Sequence, residues 1–134
     1  MKQQDIYIPL CDKCALESID IEKFIEDYEK SQQDPTKSTI FKLSDAQRDA
    51  IRSFVKEKLL TVTGGPGTGK TTIIKAFVQI MIQNHISFEL LTPTGIASKK
   101  LGVTAGYEAY TIHRRLGYKG SSWTIIQPIN MILV

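Results

Sequence analysis

The sequence predicts an α/β fold, a parallel sheet flanked by helices around a phosphate-binding loop, and three features carry that prediction. The stretch Gly64-Gly65-Pro66-Gly67-Thr68-Gly69-Lys70-Thr71-Thr72 contains the G-x-x-x-x-G-K-[ST] pattern of a P-loop. A short apolar run over residues 59–63 leads into it, and apolar residues at helical spacing lead away. A second apolar run over residues 88–92 follows. Strand, helix and strand in that order make a right-handed βαβ unit with parallel pairing.

The chemistry of the loop explains its residue types. Small residues let successive backbone N–H groups turn inward around an anion. The start of the following helix adds partial positive charge. Lys70 then reaches the β- and γ-phosphates, and the Thr71 hydroxyl takes one Mg²⁺ position. The competing reading is a glycine-rich turn that holds no ligand.

With 134 residues the chain suits one domain with a sizeable core rather than two. Its N-terminus lacks the apolar region of a signal peptide, and no apolar run approaches membrane-span length, so a cytoplasmic location is expected. The net charge of +3 conceals an asymmetry. Residues 1–40 hold five Lys against nine Asp or Glu, whereas residues 41–134 hold twelve Lys or Arg against five acids. The P-loop half is therefore the basic half, as suits a surface that meets phosphates or nucleic acid. Cys11 and Cys14 form a single C-x-x-C with no partner pair, which favours two free thiols over a zinc or redox site.

In chain order, residues 16–30 read as an acidic amphipathic helix with Ile21, Phe24, Ile25 and Tyr28 on one face. A helix docked on the main domain is preferred there over a partner-binding role. Residues 31–39 lack periodicity and read as a linker, dividing an acidic helical segment (1–40) from a P-loop domain (41–134). Residues 43–58 form the next helix, with Ser44 as N-cap and Gln47 completing a capping box. Gln47 has a second reading, since its amide offers donor and acceptor to an adenine edge. The residues alone leave the two open.

The helix leaving the P-loop covers residues 70–84, with Ile73, Ile74, Phe77, Ile80 and Met81 facing the sheet. After the strand at 88–92 come Pro93, Thr94 and Gly95, then a basic helical stretch that includes Lys99 and Lys100. Ligands of open α/β sheets gather at that edge, and a Thr hydroxyl with a helix start there suits a nucleic-acid phosphate. The plainer reading is a turn followed by a solvated basic face. Residues 102–110 read as a loop. Residues 111–118 begin a helix at Thr111, where His113, Arg114 and Arg115 cluster with Tyr118 in a mixture suited to backbone contact and base stacking. The end of the chain reads as a third apolar strand.

Taken in order, LSDAQRDAI, TGGPGTGKTT, LTPTGIASKKL and TIHRRLGY resemble the RecD-like branch of superfamily 1 DNA helicases, of the exodeoxyribonuclease V alpha-subunit type, over roughly residues 40–134. The resemblance implies a P-loop NTPase with a partial RecA-like parallel sheet, preceded by a short helical segment. It implies ATP and Mg²⁺ as cofactors, held by Gln47 at the adenine, the segment from Gly64 to Thr72 at the phosphates, and Thr71 at the metal. It tips Gln47 toward base recognition. It further implies that Pro93, Thr94, Gly95 and Lys99, then Thr111, His113 and Arg114, lie along single-stranded DNA. Ile96 stands where the family usually has Arg, and Arg115 where it has a long aliphatic residue. The implied activity is 5′-to-3′ DNA unwinding, with recombination or repair subunits as partners. The family's Asp-Glu pair and its second RecA-like domain would follow Val134. The expectation is therefore an opening segment of a helicase that hydrolyses ATP poorly on its own.

Two other readings remain open from the sequence. One is a nucleotide- or nucleic-acid-binding P-loop module without turnover. The other is a small kinase-like NTPase, for which no convincing catalytic acid follows the P-loop.

Overall fold

In the computed structural model, residues 6–7, 18–57, 60–64, 69–117, 120 and 131–133 are described. Cys11, Cys14, Leu59, residues 65–68 and Tyr118 lie outside them. Strand β1 is Ile6–Tyr7 and helix α1 is Ile21–Ser31. The helix starts where Asp20 accepts a hydrogen bond from the Lys23 N–H at 3.2 Å, later than the periodicity predicts, because the cap fixes the first turn. Its buried face is Phe24, Ile25 and Tyr28, so α1 is the docked helix its pattern predicts. The linker after it has its own order. Asp34 accepts from the N–H and hydroxyl of Thr36, and the Gln33 amide brackets both backbone groups of Phe41 at 2.9 and 3.1 Å.

Helix α2, Asp45–Lys56, carries the predicted capping box: the Ser44 oxygen accepts from the Gln47 N–H, and the Gln47 side chain accepts from the Ser44 N–H. Ile51, Phe54 and Val55 are its buried stripe. Strand β2 is short, Thr61–Val62, with Thr61 exposed, where a fully buried strand over 59–63 is predicted. It lies at the sheet edge, so only one side of its backbone is paired. Helix α3, Lys70–Gln83, is buried more widely than its predicted stripe, since Ala76 and Val78 are covered too. This is the pattern of a helix with neighbours on several sides.

Strand β3, Glu89–Thr92, buries Leu90, Leu91 and Thr92 completely. Helix α4, Gly95–Ala105, runs past the predicted loop start at Gly102 and ends at Gly106, whose φ of 67° closes the helix in the left-handed conformation. The rest of that predicted loop contains strand β4, Ala109–Thr111. A short helix α5, Ile112–Arg115, follows, and strand β5 is Met131–Leu133. Among the described residues, no helix is long and apolar enough to cross a membrane.

The sheet order is β2-β1-β5-β3-β4. β3 pairs parallel with both β4 and β5, while β1 runs antiparallel to β2 and β5. β2 therefore points the same way as β3, as predicted, but the two are not neighbours: β1 and β5 stand between them. Strand order depends on pairings between distant segments, which periodicity along the chain does not encode. Because β2, β3, β4 and β5 share one direction, their carboxyl ends lie along one edge. The segments that follow β2, β3 and β4 are the three that carry the candidate site residues.

Candidate functional site

The phosphate-binding segment begins two residues after β2, at half-buried Gly64, and ends at Gly69. Gly65, Pro66, Gly67 and Thr68 lie outside the described residues. Gly69 has φ 82° and ψ 19°, so its backbone turns left-handed just before α3. Its carbonyl accepts from the N–H groups of Thr72 and Ile73 at 3.1 and 3.3 Å, closing the first turn.

The start of α3 differs from every other described helix start. Asp20, Ser44, Thr94 and Thr111 each place a side-chain oxygen on the first turn of their own helix. Gly69 places none, and no acidic residue stands in the first turn of α3. Among the described residues, then, no N-cap side chain covers that helix start, whose partial positive charge suits an anion. Lys70 and Thr71 are its first two residues, Lys70 half-buried and Thr71 exposed. A lysine, a hydroxyl and an uncapped helix start fit the phosphates and metal of a bound Mg-nucleotide. Among the described residues, no group of three His, Cys, Asp or Glu side chains could hold a metal ion. Among the described residues of this segment, the Thr71 hydroxyl is the group suited to a Mg²⁺ position.

Gln47 joins α2 to this turn. Its Oε1 accepts from the Ser44 N–H at 2.9 Å and its Nε2 donates to the Gly69 carbonyl at 3.3 Å. An amide has two lone pairs and two N–H groups, so one of each remains for a base edge. The capping box and base recognition are therefore compatible in one side chain. The fit at Gly69 is close: a Cβ there would lie 2.1 Å from Gln47 Nε2. Gly69→Ala adds that clash to a left-handed backbone. It is expected to cost about 1–2 kcal/mol from backbone strain alone, read as a lower denaturation midpoint, and to weaken nucleotide binding measured by titration. An unchanged midpoint would contradict the left-handed strain at Gly69.

Pro93, Thr94 and Gly95 lie exposed at the carboxyl end of β3. The Thr92 hydroxyl donates to the Thr94 carbonyl at 2.9 Å, and the Thr94 oxygen accepts from the Ala97 N–H at 3.3 Å, which fixes the turn into α4. Thr111 does the same for α5, accepting from the Arg114 N–H at 3.2 Å. In the β3–β4 register Thr92 is the partner of Thr111, so the two candidate segments emerge side by side from adjacent strands. Lys99 is exposed on α4, and His113 and Arg114 are exposed on α5.

The predicted basic cluster divides. The Arg114 guanidinium lies over the Tyr110 ring at 5.6 Å, whereas Arg115 turns away to pair with Glu89 on β3. Tyr110 was absent from the predicted site because its stretch read as a loop. The signal was present in its spacing, an aromatic four residues before an arginine across a strand–helix junction. Glu108 at its hydroxyl holds the Tyr110 phenol above its usual 10.

A family model described as AAA domain matches residues 47–130, more than half of the chain, and opens on Gln47. The ATP-dependent RecD2 DNA helicase of Deinococcus radiodurans is 40% identical over 76 residues, covering 57% of this chain and 11% of that protein. The RecBCD enzyme subunit RecD of Buchnera aphidicola is 40% identical over 63 residues, covering 45% of this chain and 10% of that protein. The ATP-dependent DNA helicase dda of phage T4 is 36% identical over 77 residues, covering 53% and 18%. The chain thus spans between 10% and 18% of the length of these relatives.

Proposed function

The chain belongs to the AAA domain family, and from that premise we infer that it is the ATP- and single-strand-binding part of a DNA helicase. Among its relatives are proteins named as DNA helicases, and the inference extends their chemistry to this chain residue by residue. The observation that carries it is the shared sheet edge: the P-loop, the Thr94 turn and the Thr111 turn all follow the carboxyl ends of strands that run the same way.

In this reading Lys70 draws in the β- and γ-phosphate oxygens, the α3 start binds them through backbone N–H groups, and Thr71 supplies one oxygen to Mg²⁺. Gln47 offers its remaining donor and acceptor to adenine. Mg-ATP supplies the free energy of phosphoryl transfer that drives movement along DNA. Thr94 and Thr111 use their oxygens for capping, which leaves each hydroxyl proton to donate to a phosphate. Lys99, His113 and Arg114, with the N–H of Gly95, complete a strip for one DNA strand. The Tyr110 ring lies beside the Arg114 guanidinium and adds an aromatic face of the kind on which bases stack. The 5′-to-3′ polarity, and recombination or repair subunits as partners, belong to the same proposal.

Fluorescence anisotropy with a labelled oligonucleotide tests it. Affinity for single-stranded DNA is expected to fall steeply as salt rises, and Lys99→Ala combined with Arg114→Ala should lower that slope by about 1–2. A flat salt response would remove the DNA from the proposal. ATP binding without any DNA response would then favour a nucleotide-binding module.

A further inference from the structure

Two adjacent residues of α1 reach the nucleotide site from outside the segment matched by the family. Glu29 Oε1 accepts from the Leu43 N–H at 2.9 Å and from Arg48 Nη2 at 2.7 Å. Leu43 immediately precedes Ser44 and Arg48 immediately follows Gln47, so one carboxylate oxygen grips the chain on both sides of the capping box. The neighbouring Tyr28 hydroxyl donates to the Thr72 carbonyl at 3.4 Å, in the first turn of α3. Gln47 closes the circuit by donating to the Gly69 carbonyl.

Arg48 shows how firmly this is held. Its Nε is buried with no hydrogen-bond partner, an arrangement that costs free energy, and it is tolerated while the Nη2 end is fixed on Glu29. The Glu29 carboxylate matches that demand. Burial acts to raise its pKa, but the Leu43 N–H and the Arg48 guanidinium outweigh it and hold the group below 4.5, so it is charged at neutral pH. The rest of α1 is anchored independently, by Phe24, Ile25 and Tyr28 in the core. The apolar anchors of α1 are separate side chains from Glu29, whose two bonds go to the residues that flank the capping box.

We propose that Glu29 is a positioning residue for base selection: through Leu43 and Arg48 it sets where the Gln47 amide stands relative to the α3 start, and so favours adenine over guanine nucleotides. Adenine presents a donor at its six-position and an acceptor at N7, whereas guanine presents an acceptor at both. A fixed amide with one free donor and one free acceptor matches the first pattern and mismatches the second. A loose amide can rotate to serve either. The inference rests on the adenine reading of Gln47.

The test titrates the full chain with fluorescent ATP and GTP analogues, and with inorganic tripolyphosphate as a probe of the phosphate grip alone. Glu29→Ala is expected to reduce the ATP-over-GTP preference by roughly tenfold while tripolyphosphate affinity stays the same. Glu29→Gln keeps an acceptor for the Leu43 N–H but loses the charge facing Arg48, and should fall between Glu29→Ala and the wild type. It also carries the test if the alanine variant does not fold. An unchanged preference in the variants overturns the proposal, as does an equal loss for all three ligands, which marks a role in stability only. A wild-type chain that binds tripolyphosphate yet shows no base preference overturns the adenine reading and the inference together.

Discussion

Lys70→Ala is expected to abolish measurable ATP binding at micromolar protein while leaving the fold intact. Lys70 is the first residue of α3, and the buried face of that helix begins only at Ile73, so truncating the lysine leaves that face in place. What it removes is an ammonium beside the phosphate site. Hydrogen bonds to charged partners are worth about 1.5–3 kcal/mol each, so losing one weakens binding by roughly 10- to 150-fold, and losing contacts to two phosphates by more. The α3 start and Thr71 remain and are not enough by themselves, since a helix start contributes at most about 2 kcal/mol to an anion. Calorimetric titration of ATP, with circular dichroism as the control for folding, checks both halves. Wild-type affinity in a folded Lys70→Ala protein would mean that nucleotide is held elsewhere, and the proposed function would lose its centre. Loss of helical signal would mean instead that Lys70 supports the fold through contacts of its own.

The parts of this site that were legible in the sequence are those written within one or two turns of chain. The Ser44–Gln47 capping box, the helix from Lys70 and the Thr94 and Thr111 starts each rest on residues three or four apart, where spacing and side-chain chemistry decide the local structure. What was not legible depends on distant partners. β1 is two residues long, and only its pairing with β2 and β5 makes it a strand. β4 gains its ladder from β3, so the Tyr110 platform was hidden inside an expected loop. Gly106 does carry a local signal, a glycine after a helical run, but Gly102 offers the same signal one turn earlier. Yet Gly102 lies within α4, and Gly106 is the residue with positive φ. Glu29 was unreadable for a similar reason: it is 14 residues from Leu43 and 19 from Arg48. An acidic residue on an amphipathic helix has no local mark that separates it from a solvated neighbour.

The largest loss of stability is expected from Phe77→Ala. Phe77 on α3 and Phe54 on α2 are both fully buried, and their rings stack at 4.1 Å between centroids with 9° between planes. Removing one ring leaves a cavity against the other, and Phe-to-Ala changes in cores cost about 3–5 kcal/mol. Against the roughly 5–15 kcal/mol total of a small domain, that is enough to bring the chain close to unfolding. Urea denaturation followed by circular dichroism measures it, and a loss below about 1 kcal/mol would show that the stack is not central to the core. The same contact sets the α2–α3 spacing on which Gln47 relies to reach Gly69, so core and site are tied through one helix pair. That tie has a measurable consequence. A ligand that binds only the folded chain stabilises it by about 2.7 kcal/mol at a hundred times its dissociation constant. Saturating ATP should therefore recover much of the Phe77→Ala midpoint, and should recover none of it in Phe77→Ala combined with Lys70→Ala. If ATP rescued the double variant equally well, the nucleotide would be acting on the chain without the P-loop lysine.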